Sequence, residues 1–355
     1  MRIAQISPLT EAVPPKLYGG TERVISWLTD ELVALGHEVT LFASGDSITA
    51  ATLEPMWPRA LRLDGSVRDA NALHMMMIEK VCRRASDFDI LHFHLDYYPF
   101  SLMSRQPVPF ITTLHGRLDL QEHQPIFNTF SSIPLVSIST SQRRPVHSAN
   151  WISTVYHGLP ERLLLPKPKT PSYLAFLGRI SPEKRVDRAI NIAERCGLPL
   201  KIAAKVDAAD RDYYDSEIRH LIAKPHVDFI GEIADSEKSD FLSGAVALIV
   251  PIDWPEPFGL VMIEAMACGT PVIAYNRGAA PEIVEDGITG FIVEDETSAV
   301  SAIRNVFSLS RKTVRERFEE RFTSNRMALD YLDAYRKVNP RAGQSGKMVP
   351  RLVAG

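Results

Sequence analysis

The sequence predicts an α/β protein built from two parallel-sheet domains in series. Short apolar or β-branched runs alternate with segments of helical period along most of the chain. The length of 355 residues is enough for two such domains. A stretch with three prolines in six residues, within Leu163–Pro171, divides the alternating series in two. We therefore predict one domain over residues 1–165 and a second over residues 166–325.

The first domain opens with a β-α-β pattern. Its predicted helices cover residues 21–35 and 70–86. Its predicted strands cover residues 2–7, 38–43, 90–93, 110–114, 135–138 and 153–157. Sequential strands separated by helices indicate a parallel sheet.

The same alternation begins again after the proline-rich stretch. The predicted strands of the second domain cover residues 173–177, 200–204, 227–230, 247–250 and 271–274. Its predicted helices cover residues 183–196, 210–222, 236–243 and 260–267. Apolar residues at helical spacing over 323–338, with no strand after them, predict a closing helix over about residues 326–340. Residues 341–355 are polar and contain Gly and Pro, which predicts a flexible tail.

Composition excludes several classes of protein. The chain has 40 basic and 43 acidic residues and no polybasic block, which argues against nucleic-acid binding. Its three cysteines lack CxxC spacing and are expected to be reduced thiols of a cytoplasmic protein. The apolar run at the N-terminus is too short for a secretory signal. The most apolar later stretch is interrupted by Glu264, Gly269 and Pro271, so it is not expected to span a membrane. We expect neither disulfides nor a membrane span.

The most informative motif runs from Glu256 to Glu264. A strand leads through a proline-rich turn into a helix predicted to begin near Phe258, so the N–H groups of Gly259 and Leu260 are free to face an anion. Glu264 lies inside an otherwise apolar helix, where an unpaired carboxylate is costly to bury. Two interpretations stay open: Glu264 binds a polar ligand such as a ribose diol, or it pairs with a buried basic group.

Further candidate residues follow predicted strands, at the edge where open α/β sheets bind ligands. Gly19 and Gly20 lie before the first helix, where backbone amides can approach a phosphate. His115 ends the strand 110–114. His92 and His94 share a strand face, but no carboxylate or thiolate motif completes a metal site. If the two sheets face each other, the ligand site is expected in the cleft between them.

These motifs resemble those of the family 4 retaining glycosyltransferases of GT-B architecture. The resemblance rests on Glu256-Pro-Phe-Gly-Leu with Glu264-Ala-x-Ala-x-Gly-x-Pro-Val, on Phe176-Leu-Gly-Arg179-Ile-Ser-Pro-Glu-Lys184, on Gly19-Gly20-Thr-Glu-Arg, and on Ala279-Ala-Pro-Glu282 with Asp286-Gly-x-Thr-Gly290. It implies two Rossmann-like domains facing across a cleft and a C-terminal helix that returns to the first domain. The first domain would bind the acceptor and the second the nucleotide sugar.

The resemblance also implies a role for each candidate. Arg179 and Lys184 would hold the donor diphosphate and neutralise the charge that grows on it. Glu256 would accept hydrogen bonds from the donor sugar, and His115 would position that sugar. The remaining donor-binding candidates are Gly19, Gly20, Ile233 beside the nucleobase, Phe258, Gly259, Leu260 and Glu264. The sequence departs from the family pattern at two places that would contact the nucleotide. Arg185 stands where the family often has glycine, and Ala203-Ala204-Lys205 replaces a glycine-containing turn.

The implied activity is retaining, metal-independent transfer of a hexose from a nucleoside diphosphate sugar, with UDP-glucose as the first guess and no cofactor. The acceptor is unknown and could be a small molecule, a saccharide or a lipid-linked sugar, so peripheral membrane contact stays open. Two alternatives also stay open: a nucleotide-sugar epimerase of similar architecture, and a non-catalytic nucleotide-sugar binding protein.

Overall fold

The computed structural model describes residues 1–16 and 19–340, which form two compact units. The first unit contains residues 1–138, 143–156 and the chain from Ser324 onward. The second contains residues 139–142 and 157–323. The predicted flexible tail, residues 341–355, lies outside the described residues.

Each unit is organised around one parallel β-sheet. The sheet of the first unit has seven strands in the order β3-β2-β1-β4-β5-β6-β7. They are β1 (Arg2–Ile6), β2 (Glu38–Ser44), β3 (Thr52–Trp57), β4 (Ile90–Phe93), β5 (Phe110–Thr113), β6 (Leu135–Ser137) and β7 (Trp151–Thr154). The sheet of the second unit has six strands in the order β10-β9-β8-β11-β12-β13. They are β8 (Tyr173–Arg179), β9 (Leu200–Lys205), β10 (Val227–Gly231), β11 (Ala245–Val250), β12 (Val272–Tyr275) and β13 (Gly290–Val293).

The connecting segments are mostly helical. The α-helices are α1 (Gly20–Ala34), α2 (Ala70–Arg83), α3 (Phe100–Met103), α4 (His123–Thr129), α5 (Val186–Cys196), α6 (Arg211–Tyr213), α7 (Arg219–Ile222), α8 (Asp235–Ser243), α9 (Leu260–Ala267), α10 (Ala280–Ile283), α11 (Glu296–Asn305), α12 (Arg311–Arg321) and α13 (Ser324–Val338). The helix predicted over 210–222 is interrupted by a π-helical turn at Tyr214–Ile218. All recorded strand pairings within the two sheets are parallel, which confirms the predicted fold class.

The last helix belongs to the first unit, as predicted for the closing helix. α13 packs on α1, β5 and β7. Its tyrosines Tyr331 and Tyr335 are fully buried, and each hydroxyl is hydrogen-bonded to side chains of the sheet. The helix therefore fills a face of the seven-stranded sheet that the segments preceding the second unit leave uncovered.

The division of the chain differs from the predicted domain ranges in two segments, 139–142 and 157–165, which belong to the second unit. The Glu282 carboxylate accepts hydrogen bonds from the backbone N–H groups of Thr140 and Ser141, at 2.8 and 2.6 Å. The Arg315 guanidinium donates to the carbonyl oxygens of Glu161 and Leu164, both at 2.8 Å. These hydrogen bonds attach residues that precede the three prolines to helices that follow them in the sequence.

No helix in the described ranges is both long enough and apolar enough to span a bilayer.

Candidate functional site

Glu256 is the centre of a cluster in the second unit. Its residue surface is 9% exposed, and it follows β11 in the loop that leads to α9. Its Oε2 accepts a short hydrogen bond from the Lys184 ammonium and another from the Trp254 indole Nε1 at 2.9 Å. The Lys184 Nζ also lies 5.0 Å from the centre of the Trp254 ring. One aromatic ring therefore contacts both the acid and the base of a part-buried ion pair.

The helix after Glu256 covers the predicted residues 260–267, and its first residue lies two positions beyond Phe258, where the motif alone suggested the start. Gly259 caps α9 in the left-handed conformation, with φ +89°, and the first helical residue is Leu260. Phe258 is buried, with its ring 4.8 Å from His157 and 6.2 Å from Phe322. The side chain of Phe258 packs in the core, and donor binding at this position stays a prediction. Its backbone directs the turn that carries Gly259.

A second glycine brings the following loop against Glu256. Gly278 has φ +57°, and a Cβ built on it would overlap the backbone nitrogen and oxygen of Glu256. The next residue, Ala279, donates its N–H to the Glu256 carbonyl at 2.8 Å. A Cβ on Gly259 would lie 2.6 Å from the Met262 Cε and 3.4 Å from the Glu256 Cγ. The lack of a side chain at Gly278 is therefore what lets its loop lie directly against the Glu256 backbone.

Lys184 does not open a helix as predicted. It lies in the turn before α5, which begins at Val186, and its N–H donates to the Ser181 carbonyl at 3.1 Å. Arg185, the residue that replaces the usual glycine, caps α5 in the left-handed region with φ +53°. Its guanidinium pairs with Asp187 at 2.8 Å and with Asp253 at 3.1 Å. These ion pairs offset the backbone cost of an arginine in a conformation that favours glycine.

Replacing Arg185 with glycine is expected to give a more stable protein than replacing it with alanine. Both variants lose the same ion pairs, so they differ mainly in the cost of φ +53°, about 1 kcal/mol for a residue with a Cβ. Chemical denaturation of R185G and R185A measures the difference. Equal stability of the two variants, or a more stable R185A, would contradict this account of the turn.

Arg179 is the last residue of β8 and is surrounded by carboxylates. Its guanidinium is 2.8 Å from Glu183, 3.6 Å from Asp207 and 3.5 Å from Asp210. Lys205 also binds Asp207, at 2.8 Å. Burial opposes ionisation of Asp207, but the hydrogen bond from Lys205 and the charge of Arg179 outweigh it and lower the pKa of Asp207. Lys205, which departs from the family pattern, is thus tied into the same charge cluster.

Glu264 pairs with a basic group, which is the second of the two interpretations left open by its sequence. Its carboxylate lies 2.7 Å from the ammonium of Lys238, which is on α8, and both side chains are largely buried. Burial disfavours the charged ammonium, but Glu264 and Asp235 outweigh it and raise the pKa of Lys238. A role for Glu264 in binding a ribose stays a prediction. Ile233, the residue predicted to lie beside the nucleobase, is half-buried and lies just before α8.

Gly19 and Gly20 form the start of α1 in the first unit. Gly19 is the N-cap and Gly20 the first helical residue. A Cβ on Gly19 would lie 2.9 Å from Pro15 and 3.1 Å from a carboxylate oxygen of Glu22. Burial raises the pKa of Glu22, which lies in the first turn. Close packing therefore accounts for the glycine at position 19, and phosphate binding here stays a prediction.

Three histidines of the first unit, His92, His94 and His115, lie together at its sheet. His115 follows β5 and is half-buried, with its Nε2 2.8 Å from Nδ1 of His94. The rings of His92 and His94 are 4.0 Å apart, as their spacing on one strand face predicts. Within residues 1–16 and 19–340, no three His, Cys, Asp or Glu side chains are grouped so that they could share a metal ion.

Three partners in these clusters were not predicted from the sequence: Trp254, Lys238 and Asp207. Trp254 precedes Glu256 by two residues, and its place in a turn rich in proline was the available signal. Lys238 and Asp207 lie in polar segments where nothing in the local pattern distinguishes them from solvated residues. Their contacts depend on which strands and helices lie next to each other in the folded protein.

The comparisons with known proteins identify the class of protein to which this pair of parallel-sheet units belongs, the glycosyltransferases of GT-B architecture. Residues 18–152 match the model of Glycosyltransferase Family 4, and residues 162–324 match that of Glycosyl transferases group 1. The chain belongs to family 4 of the glycosyltransferases.

The chain is similar to curated glycosyltransferases over most of its length. It is 26% identical over 344 residues to the phosphatidyl-myo-inositol mannosyltransferase of Mycobacterium leprae, a match that covers 90% of each protein. It is 26% identical over 361 residues to the glycogen synthase of Mycobacterium tuberculosis, covering 86% of each. These matches support glycosyltransferase activity for this chain.

Solved structures share the fold. The sucrose-phosphate synthase of Thermosynechococcus elongatus matches with a TM-score of 0.77 and 20% identity, over 95% of this chain and 98% of that one. AviGT4, a glycosyltransferase of avilamycin A biosynthesis, matches with a TM-score of 0.73 and 23% identity, over 96% and 98%. HepE of Anabaena, in complex with UDP-glucose, matches with a TM-score of 0.71 and 18% identity, over 95% and 100%.

Proposed function

We propose that this glycosyltransferase moves a hexose from a UDP-glucose-like donor to its acceptor with retention of anomeric configuration, without a metal or other cofactor. The observation that carries the proposal is the part-buried Glu256–Lys184 pair beside Trp254, with the Gly278 loop lying against the Glu256 backbone. Both recorded bonds reach Glu256 Oε2, so we assign Oε1 to the sugar hydroxyls. A fixed charge in a site of low dielectric constant is suited to orienting a sugar near its anomeric carbon.

The cations of the second unit supply the charge stabilisation that the reaction requires. In the proposed step the bond from the anomeric carbon to the diphosphate breaks, and a bond to the acceptor oxygen forms on the same face. The acceptor proton passes to the leaving diphosphate. Lys184 and Arg179 would bind that diphosphate as its negative charge grows. A diphosphate at Arg179 would replace the hydrogen bond that Glu183 accepts from the guanidinium and the longer ion pairs with the two aspartates.

Named relatives and neighbours support a nucleotide-sugar donor and a saccharide or lipid-linked acceptor. HepE is described in complex with UDP and with UDP-glucose, and one relative is a phosphatidyl-myo-inositol mannosyltransferase. The same proposal assigns donor positioning to His115 and donor binding to Gly19, Gly20, Ile233, Phe258, Gly259, Leu260 and Glu264. A lipid-linked acceptor would bring the enzyme to a membrane surface as a peripheral protein.

A thermal-shift panel of nucleotides and nucleotide sugars is expected to show stabilisation by UDP and UDP-glucose. A ligand at about 100 times its Kd stabilises the folded state by about 2.7 kcal/mol. The panel is run with and without a chelator, and the chelator is expected to change nothing. Preference for another base or sugar would overturn the donor assignment.

Product analysis of the same samples distinguishes the alternatives. A transferase is expected to hydrolyse its donor slowly when no acceptor is present, releasing free sugar and UDP. Conversion of UDP-glucose into a second nucleotide sugar would indicate an epimerase. Binding without any turnover would indicate a non-catalytic protein.

A further inference from the structure

A chain of buried hydrogen bonds runs from His115 to the C-terminal helix within the first unit. Nε2 of His115 is 2.8 Å from Nδ1 of His94, and Nε2 of His94 is 2.8 Å from Oε1 of Gln5 on β1. The Gln5 amide nitrogen donates to the hydroxyl of Tyr335 on α13 at 2.9 Å. Gln5, His94 and Tyr335 are all at most 3% exposed.

The chain continues beyond Tyr335 to a second tyrosine of α13. The Tyr335 hydroxyl is 2.9 Å from Nδ1 of His92, and Nε2 of His92 is 2.7 Å from the Thr113 hydroxyl. The Thr113 hydroxyl donates to Tyr331 at 3.1 Å. Three imidazoles, an amide and three hydroxyls thus form one continuous network.

Burial lowers the pKa of His115 to about 3 and that of His92 well below its ordinary value. A neutral imidazole has one N–H donor and one acceptor nitrogen, so fixing the role of one ring nitrogen fixes the role of the other. The branch from Gln5 through His94 to His115 contains no hydroxyl, so with neutral rings the direction of the Gln5 amide sets the tautomers of these two histidines.

Gln5 is the group of known direction. Its amide nitrogen donates to Tyr335, so its oxygen is the acceptor that faces His94. His94 must then carry its proton on Nε2 and leave Nδ1 as an acceptor. Nδ1 of His94 then accepts a hydrogen bond from the Nε2–H of His115, and Nδ1 of His115 carries no proton.

We propose that His94 and Gln5 are positioning residues that hold His115 in its Nε2–H tautomer, so that His115 Nδ1 accepts a hydrogen bond from a donor-sugar hydroxyl. The inference rests on the proposed role of His115 in donor binding. It explains why His92 and His94, at metal-ligand spacing, are used differently: His94 orients His115, and His92 links the sheet to α13. Tautomer control of this kind is how a second layer of side chains fixes a functional histidine.

Nitrogen-15 NMR of the full-length protein with labelled histidine tests the tautomer directly, because protonated and unprotonated ring nitrogens resonate far apart. The wild-type spectrum is expected to show a proton on Nε2 of His115 and none on Nδ1. A proton on Nδ1, or an equal mixture of tautomers, would overturn the proposal. This measurement needs no substrate, so it stands even if the proposed transfer reaction fails.

Two substitutions of His94 separate positioning from packing. In His94→Asn the side-chain oxygen can take the place of Nδ1 as the acceptor for His115, whereas His94→Leu removes the acceptor. We expect H94N to keep the His115 tautomer and at least a third of kcat/KM for the donor. We expect H94L to show mixed tautomers and a fall in kcat/KM of roughly tenfold or more.

His226→Leu is the matched control, since His226 is part-buried in the second unit and bonds only a backbone carbonyl among its recorded partners. H226L is expected to leave kcat/KM unchanged. An H94L variant that keeps both tautomer and kcat/KM would overturn the positioning role of His94. If H94L does not fold, H94N and the wild-type spectrum still decide, because loss of the Nε2–H tautomer in either contradicts the proposal.

Discussion

Replacement of Glu256 by glutamine is expected to reduce kcat for sugar transfer by about 10²- to 10³-fold. The amide keeps the shape of the side chain but removes the charge that faces Lys184 and, in our proposal, the donor sugar. Loss of one preorganised electrostatic contact in an active site has an effect of about this size. The measurement is initial-rate kinetics with the donor identified by the nucleotide panel.

The change should affect catalysis more than donor affinity. Uridine diphosphate lacks the sugar, so its affinity is expected to change by less than about threefold, which calorimetry measures. Glu194→Gln is the control. Glu194 is an exposed residue of α5, distant in sequence from the Glu256 motif, and its carboxylate pairs with Lys224 at 2.7 Å. Loss of this charge should leave kcat unchanged. An E256Q enzyme with near-normal kcat would remove Glu256 from the catalytic group.

The fold was predictable because parallel sheets carry a strong sequence signal. The strands of both sheets that are buried on both faces are continuous apolar runs, such as Ala245–Val250, and these were found. β3 was missed because Thr52–Trp57 contains Glu54 and Pro55, which a strand at the edge of a sheet tolerates. β13 was missed because it has only four residues and begins with Gly290.

Site residues that belong to one sequence motif were predictable. Contacts between residues that are distant in sequence were not. The motif from Glu256 to Glu264 identified the acid, and Lys184 was expected to face the diphosphate rather than that acid. The direct pair between them joins residues 72 positions apart. Lys238, the partner of Glu264, lies on a different helix, and only the order of the strands brings the two together. The start of α5 was predicted at residue 183, but the left-handed turn at Arg185 delays the helix to Val186.

Gly278 supports the backbone of Glu256. Gly278→Ala is expected to destabilise the protein by about 3 kcal/mol and to lower kcat/KM by tenfold or more. Part of the loss, about 1–2 kcal/mol, comes from a Cβ at φ +57°. The rest comes from overlap of that Cβ with the backbone of Glu256, which a rigid segment relieves only by moving. Such movement displaces the carboxylate from the position that catalysis requires.

Gly287→Ala separates these two causes. Gly287 also has a positive φ, +74°, but a Cβ there meets nothing within 4 Å. The control variant should therefore lose about 1 kcal/mol of stability and keep its transfer activity. Denaturation midpoints and kcat/KM of the two variants are compared under one set of conditions. If G278A and G287A lose equal stability and both stay active, the contact between Gly278 and the Glu256 backbone does not hold the catalytic carboxylate in place.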